Sequence, residues 1–271
     1  MNTETPVFEL RQGSGPLLVS MPHSGTYLPP DLMPCFMPEI LALEDTDWGL
    51  ESLYDFLDEF DATLVVATHS RYVVDLNRPP DDVSLYPGQS TTGLCPIDTF
   101  NNRPIYVPGN EPTTREIAQR IETFWRPYHA TLAAELSRLK ALHGSALLWD
   151  AHSIQSRVPR FFSGELPHFN LGTADHQSCA PGLAEQLAAV IRKNGTYSWA
   201  VNGRFKGGYI TRHYGQPENG VHAVQLEMAM RTYMSELPPF VVDDLLAKPV
   251  RQILREMMAA MLAWQEKHSS Q

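Results

Sequence analysis

Short apolar runs recur along the chain and predict the strands of a sheet. They are rich in Val and Leu, and each is too short for an ordinary helix. The runs are 16–22, 62–68, 71–76, 145–150, 197–202 and 222–228. Segments with a helical pattern lie between some of them, and this alternation favours an α/β fold.

Four segments carry the helical pattern. The longest, 113–143, has apolar side chains at intervals of three or four residues, and Pro127 should kink or split it. A second, 48–60, begins directly behind Asp47, a residue type that caps helix N-termini. The other two segments are 181–193, which Asn194-Gly195 closes, and 249–265.

Two stretches between these elements are longer than ordinary connections. They are 78–112 and 155–181, and both are rich in Pro, Gly, Asn and Ser. Long ordered loops in a compact domain usually serve a site. A chain of 271 residues that is 43% hydrophobic can bury a large core. We therefore expect one catalytic α/β domain over 1–271, with these two stretches as active-site loops.

Charge and composition narrow the partners and the compartment. The formal net charge of -10 argues against a nucleic-acid partner, although a small anionic substrate responds to local arginines instead. No apolar run is long enough to span a bilayer, and the N-terminal residues lack the pattern of a secretory signal. The three cysteines are an odd number and far apart, which indicates a reducing compartment. We expect a cytoplasmic protein, and the sequence predicts no oligomeric state.

Polar residues stand at the ends of four predicted strands. His23 follows the first, Asn77-Arg78 follows 71–76, His152 follows 145–150, and Glu227 lies near the end of 222–228. Open α/β sheets bind their ligands at the carboxyl ends of the strands. Four such ends indicate a shared site.

The histidines suggest a metal ion. Two histidines and one carboxylate from separate segments can form a catalytic zinc site with an open position. His23 and His152 are the histidine candidates, and Asp150 could orient an imidazole from behind. The carboxylate could come from LALEDTDWGL, which contains Glu44, Asp45 and Asp47.

Each of these residues also has a purely structural interpretation. A histidine at a strand end can be a hydrogen-bonded core residue, and Asp47 can be a helix cap. Glu227 can pair with a nearby arginine as a buried ion pair. The spacing is not a short metal signature such as HExxH.

Four arginines lie in or beside the segments of the suspected site. Guanidinium forks bind carboxylates through two parallel hydrogen bonds, so these arginines predict a substrate with one or more carboxylates. Alternatively, they pair with the acidic residues Asp75, Asp81, Asp82 and Glu218. The four arginines are Arg71, Arg78, Arg204 and Arg212.

Several ordered blocks together resemble a known family. They include MPHSGTYLP, DTDWGLESLYDF, SRYVVDLNRPPDD, YPGQSTTGLCPIDTF, LLWDAHSI and NGRFKGGYITRHYGQPENGVHAVQLEMA. From about residue 16 to 235 the chain resembles the bacterial N-formylglutamate amidohydrolases, also called N-formylglutamate deformylases. The resemblance implies that the protein releases formate and L-glutamate from N-formyl-L-glutamate, a reaction of histidine breakdown.

That family is similar in plan to the zinc carboxypeptidases and aspartoacylase. This implies a mixed, mostly parallel sheet sandwiched by helices, and one zinc ion, or another divalent metal, per chain. Two histidines, here His23 and His152, and an acid hold the metal. Those zinc peptidases take the acid three residues after the first histidine, where this chain has Thr26. The acid is therefore expected from DTDWG, with Asp47 favoured and Asp45 as the alternative.

The resemblance also implies roles around the substrate. Glu227 would be the base, Arg71 would polarise the scissile carbonyl, and Asn77-Arg78 would bind a substrate carboxylate. A second carboxylate of a small N-acyl dicarboxylate would meet an arginine of NGRFKGGYITRHYG, with Arg212 favoured and Arg204 second. His213 would either assist the oxyanion or pack under the loop.

Two other functions compete with this one. The nearer is a metal-dependent deacylase or carboxypeptidase that acts on another N-acyl amino acid or on a C-terminal peptide residue. The more remote is a non-catalytic carboxylate-binding protein, which would have no need of a base such as Glu227.

Overall fold

A seven-stranded mixed sheet lies at the centre of the computed structural model, which describes residues 5–269. In spatial order the strands are β1, β3, β2, β4, β7, β5 and β6. The central strands β3, β2, β4 and β7 are parallel, whereas β1 and β5 are antiparallel to β3 and β7, respectively. The strands are β1 (Phe8–Arg11), β2 (Leu17–Met21), β3 (Thr63–Ala67), β4 (Ala146–Ile154), β5 (Phe169–Gly172), β6 (Trp199–Val201) and β7 (Val221–Ala229).

Helices cover both faces of this sheet. The α-helices are α1 (Leu50–Leu53), α2 (Thr114–Arg120), α3 (Arg126–His143), α4 (Leu183–Asn194), α5 (Tyr209–Tyr214) and α6 (Asp244–Ser269). One π-helical turn, Ile121–Trp125, joins α2 to α3. Short 3-10 turns are Met33–Cys35, Pro38–Ala42, Leu57–Phe60, Pro217–Asn219 and Met230–Thr232. No helix within 5–269 is long and apolar enough to cross a bilayer.

Two apolar cores lie on opposite faces of the sheet, and strand β4 contributes to both. Leu147 and Trp149 pack into the core beneath α1, α4 and α6, whereas Leu148 packs into the core beneath α3. Successive side chains on a strand point to opposite faces, so a strand covered on both sides is apolar at almost every position. The predicted α/β fold, with a mostly parallel sheet sandwiched by helices, is confirmed.

Five of the six predicted strands are present, and the segment 71–76 was predicted wrongly. It forms turns, although Val73 and Val74 are fully buried. Two side chains bond the backbone locally: Ser70 Oγ accepts from Tyr72 N at 3.2 Å, and Asp75 Oδ1 accepts from Asn77 N at 2.9 Å. Such local bonds compete with a strand ladder. The short strands β1 and β5 were not predicted.

The helix predictions were most accurate for the longest segment of regularly spaced apolar residues. The segment 113–143 contains α2, the π-helical turn and α3, and Pro127 lies in the first turn of α3. Helix α6 begins before the predicted 249–265 and contains Pro249. The segment 48–60 holds only one α-helical and one 3-10 turn.

Asp47 is not the helix cap that the pattern suggested. The N-cap of α1 is Gly49, which has a φ of 75° in the left-handed region that favours glycine. The Asp47 carboxylate is therefore available for the cleft described below.

Candidate active site

A cleft lies at the carboxyl ends of the parallel strands, where β2, β4 and β7 bring polar residues together. His23 follows β2 by two residues, and β4 carries Asp150 and His152. The β4–β7 register sets His152 beside Glu227 and Asp150 beside Gln225. Asp150 and His152 are two residues apart on β4, and Gln225 and Glu227 are two residues apart on β7. All four side chains therefore lie on one face of the sheet.

Three buried side chains at the cleft floor could hold a metal ion. His23, Asp47 and His152 each offer one ligand atom, and these atoms all lie within 4.8 Å of one another. The Asp47 carboxylate is 3.0 Å from His152 Nδ1 and 3.7 Å from His23 Nδ1. The backbone N–H of Asp47 donates to His23 O at 3.0 Å, which ties the two chain segments together.

One ring nitrogen of this group is available to bind a cation. His23 Nδ1 is buried and has no hydrogen-bond partner among the described residues. The other ring nitrogen of each histidine faces a carboxylate: His23 Nε2 is 2.6 Å from Asp75 and His152 Nε2 is 3.1 Å from Asp150. A carboxylate behind an imidazole fixes its tautomer and orients its free nitrogen toward a metal. The geometry therefore agrees with a three-ligand metal site.

The two imidazoles differ in their electrostatics. Burial, reinforced by the charge of Arg71, lowers the pKa of His23. Burial also acts to lower the pKa of His152, but the carboxylates of Asp150 and Asp47 raise it well above its ordinary value. The same cavity thus holds one neutral and one readily protonated imidazole.

Asp45, the alternative acidic ligand, lies outside this group. Its Oδ2 accepts a hydrogen bond from Phe100 N at 3.0 Å, so it fixes the backbone of the loop that carries Phe100. Burial raises the pKa of Asp45 to about 7.

Glu227 and Arg71 line the same cleft. Glu227 is 7% exposed, and burial, with the nearby charge of Asp47, raises its pKa to about 8. Arg71 Nη2 donates to Asp75 Oδ2 at 2.6 Å, and the guanidinium carbon lies 4.7 Å from the centre of the Phe100 ring. Arg71 Nε is buried and has no partner in the described part of the chain. A buried carboxyl and a fixed guanidinium therefore face the metal-ligand group.

Two further arginines line the cleft, Arg78 and Arg204. Arg78 Nη2 reaches Thr92 Oγ1 at 3.4 Å, and Arg204 Nε donates to Phe161 O at 2.7 Å. Burial lowers the pKa of Arg204, and the like charge of Arg78 lowers it further. Two positive charges that repel each other across a cleft form a site for an anion.

Two further predicted substrate residues, Arg212 and His213, lie outside the lining of the cleft. Arg212 is not among the cleft-lining residues, because its Nε donates to Gly207 O at 2.8 Å and its guanidinium lies over the Tyr86 ring. His213 stacks on Tyr209, with ring centres 4.8 Å apart, and lines a separate surface groove. The structure thus places Arg204, and not Arg212, in the lining of the cleft that contains the metal-ligand group.

A third predicted substrate residue, Asn77, lines the cleft, and its amide is already bonded. Its Nδ2 donates to Asp150 Oδ2 at 3.1 Å, and its Oδ1 accepts from Ile210 N at 2.8 Å. The side chain joins β4 to the first turn of α5, which suits a residue that orients the site more than one that binds substrate.

Several cleft residues were missed from the sequence. Asp75 and Gln225 each stand two residues before a predicted site residue, so a period of two could have indicated Gln225 on β7. Ser153 and Ile154 of β4 also line the cleft and were missed. The other missed residues come from loops, where no periodicity marks them: Tyr86, Ser90, Thr91, Phe100, Phe161 and Phe205.

Known proteins are similar to this chain in sequence. Residues 15–234 match the sequence model of the family described as N-formylglutamate amidohydrolase. A Pseudomonas aeruginosa protein named N-formylglutamate deformylase is 52% identical over 258 residues, which cover 95% of this chain and 97% of that protein. A Pseudomonas putida protein of the same name is 49% identical and covers 95% of this chain and 96% of its own length.

Solved structures share the fold. The crystal structure of N-formylglutamate amidohydrolase from Ralstonia eutropha JMP134 has a TM-score of 0.79 at 26% identity and covers 96% of this chain and 97% of that one. A gene product of Agrobacterium tumefaciens has the same fold, with a TM-score of 0.72 at 18% identity and 97% of both chains covered. With a family match over most of its length and relatives at about half identity, the chain is an amide hydrolase that belongs to the N-formylglutamate amidohydrolase family.

Proposed function

We propose that the protein hydrolyses N-formyl-L-glutamate to L-glutamate and formate, using a zinc ion held by His23, Asp47 and His152. One observation carries the proposal: the metal-ligand group, a buried carboxyl and two arginines line a single cleft. The names of the two Pseudomonas relatives support the substrate. The reaction would serve histidine breakdown, as the sequence resemblance implies.

The donor atoms favour zinc. Two imidazole nitrogens and one carboxylate oxygen are a usual set for a catalytic zinc ion, and they leave a fourth position for water or substrate. When bound, zinc would supply Lewis acidity and would lower the pKa of a water molecule toward about 7. Asp75 and Asp150 keep the two histidines in the required orientation.

Glu227 moves the proton in this mechanism. It lies beside His152 in the β4–β7 register and is almost fully buried. A carboxyl whose pKa is raised to about 8 exchanges its proton near neutral pH, so it can take a proton from the attacking water and return it to the departing amino group. Each transfer needs the carboxylate to keep one position through the reaction.

Arg71 stabilises the charge that develops on the formyl oxygen. Asp75 fixes its guanidinium, and the Phe100 ring covers one face of it, so the donor is oriented before substrate arrives. A preoriented donor of this kind lowers the barrier because no reorganisation is needed during the reaction.

Each of the two cleft arginines would bind one of the two substrate carboxylates. Arg78 approaches Asp75, with Nε 3.9 Å from Oδ2, and Asp75 also bonds His23 and Arg71. Arg78 is thus on the side of the metal ligands, where the α-carboxylate, the one nearer the scissile bond, would lie. Arg204 is held by Phe161 O and would take the side-chain carboxylate.

A comparison of substrates tests the proposal. Formate or amine release is measured with N-formyl-L-glutamate, N-formyl-L-aspartate, N-formyl-L-glutamine, N-acetyl-L-glutamate and a dipeptide. We expect the highest kcat/KM with N-formyl-L-glutamate, and the Arg204→Met variant should lose the preference for glutamate over glutamine. A higher kcat/KM with the acetyl compound or the dipeptide would replace this function with that of a deacylase or a carboxypeptidase.

A further inference from the structure

Gln225 joins two parts of the cleft that act on different ends of the substrate. It stands on β7 two residues before Glu227, so both side chains lie on the same face of the sheet. Its Nε2 donates to Glu227 Oε2 at 3.3 Å, and its Oε1 accepts from Gly208 N at 2.7 Å. The side chain is buried, with 4% exposed, and both ends of its amide are bonded.

Gly208 closes the loop that carries Arg204, and its own position is tightly constrained. A Cβ at Gly208 would lie 2.5 Å from Asn77 Nδ2, so only glycine lets the loop lie this close to the cleft floor. The neighbouring Gly207 O accepts from Tyr86 Oη and from Arg212 Nε, each at 2.8 Å. The Gln225 amide thus joins this loop directly to the catalytic carboxyl through two hydrogen bonds.

We propose that Gln225 is a positioning residue that couples selection of the side-chain carboxylate to placement of the base. Through Oε1 it fixes the loop that bears Arg204, and through Nε2 it holds one oxygen of Glu227. Binding of the substrate side chain at Arg204 and alignment of Glu227 then depend on the same amide. This inference rests on the proposed function for the identity of the substrate, but the hydrogen bonds themselves can be tested without substrate.

The test uses the full-length, metal-loaded protein and three variants. Gln225→Met keeps a side chain of similar length and removes both hydrogen bonds. Gln225→Glu keeps an acceptor for Gly208 N–H but loses the donor to Glu227 and adds a repelling charge. Gln265→Met is the matched control, because Gln265 is another buried glutamine, 5% exposed, whose amide donates to Ser145 Oγ beside the opposite end of β4.

Three quantities are measured for each protein: metal content, kcat and KM for N-formyl-L-glutamate and N-formyl-L-glutamine, and hydrogen exchange at the Gly208 amide. For Gln225→Met we expect unchanged metal content, a kcat/KM about 100-fold lower with the glutamate substrate, and faster exchange at Gly208. The preference for glutamate over glutamine should fall about tenfold, as for a lost hydrogen bond to a charged group. Gln225→Glu should lower kcat but keep the preference and the protection of Gly208, and Gln265→Met should change none of the three.

The outcomes separate this inference from the proposed function. Parent-like kcat, preference and exchange in Gln225→Met would overturn the coupling role. If that variant does not fold, a parent-like kcat in Gln225→Glu overturns it instead. If the parent releases no formate from N-formyl-L-glutamate, the proposed function fails, and equal exchange at Gly208 in the parent and in Gln225→Met would then reject the bridge independently.

Discussion

The two histidines at the cleft floor have the same burial and the same kind of partner, but their charges are balanced differently. His23 faces Asp75, whose carboxylate is already paired with Arg71 at 2.6 Å. His152 faces Asp150, which accepts further hydrogen bonds from the neutral side chains of Asn77 and Thr211. On the His23 side an arginine offsets the carboxylate, whereas on the His152 side the carboxylates of Asp150 and Asp47 favour the protonated imidazole.

This difference explains why the pKa values of the two imidazoles move in opposite directions. Burial and Arg71 lower the pKa of His23, while Asp150 and Asp47 raise that of His152 against the effect of burial. His23 therefore offers a neutral nitrogen that is ready to bind a cation. His152 holds a proton whose charge a metal ion would replace. The negative charge of Asp47 and Asp150 would favour a divalent cation at this point.

The largest expected effect comes from the carboxylate between the two histidines. Asp47→Asn should weaken metal binding by more than the roughly 100-fold typical for residues behind a ligand, and formate release should disappear with the metal. Asp45→Asn is the matched control, because its side-chain oxygen can still accept from Phe100 N. Elemental analysis and a formate assay measure both variants. Loss of metal in Asp45→Asn alone would move the acidic ligand to that position.

The next largest effect is on kcat, with both histidines unchanged. Glu227→Gln should lower kcat by about 10²- to 10⁴-fold, because the amide cannot accept and return a proton. The shape of the side chain is kept, so the bound metal should match that of the parent on elemental analysis. Parent-like turnover would remove Glu227 from the mechanism.

Substitution of the carboxylate behind each histidine tests the two sides of the site separately. Asp75→Asn and Asp150→Asn should each lower metal affinity by about 10- to 100-fold, measured by competition with a chelator. Asp75→Asn should in addition lower the free energy of unfolding by about 3–5 kcal/mol, because it leaves Arg71 buried without its counter-charge. Urea unfolding of the metal-free proteins measures this. A larger loss of stability in Asp150→Asn would contradict the assignment of charge to the two sides.

The smallest effect is the pH dependence of metal binding. The pKa of His152 is raised above that of a free imidazole, which favours its protonated form in the metal-free protein, whereas the lowered pKa of His23 favours its neutral form. Binding of one metal ion should therefore release about one proton, and affinity should rise with pH by about tenfold per unit until the pKa of His152 is passed.

Calorimetry in buffers of different ionisation enthalpy counts the released protons. Asp150→Asn should release fewer, because it removes a carboxylate that raises the pKa of His152. Release of no proton by the parent would contradict the proposed difference between the two imidazoles.

The sequence predicted the parts of the site that stand on buried strands. β4 and β7 are apolar runs with polar residues at fixed positions, so His152 and Glu227 could be placed at one edge of the sheet. The strand 71–76 could not be excluded in the same way, because Tyr72, Val73 and Val74 are buried just as strand residues are. Its turns depend on local bonds from Ser70 and Asp75, which hydrophobic pattern does not reveal.

Residues on loops could be predicted by type but not by position. Arg204 and Arg212 lie in one glycine-containing segment, and only the fold shows that Arg212 belongs to α5 and bonds Gly207 O instead of lining the cleft. Asn77 looked like a substrate ligand in the sequence, but its amide joins Asp150 to Ile210 N. Both outcomes depend on contacts between distant segments, which no local pattern contains.

Formate release should depend on a metal ion held by His23, Asp47 and His152. The direct measurement is formate release from N-formyl-L-glutamate by the purified protein, with its metal content determined before chelation, after chelation and after zinc is restored. We expect about one zinc ion per chain, loss of activity with loss of the metal, and recovery when zinc returns. Full activity in the metal-depleted protein would contradict the claim and assign the His23–Asp47–His152 group a structural role.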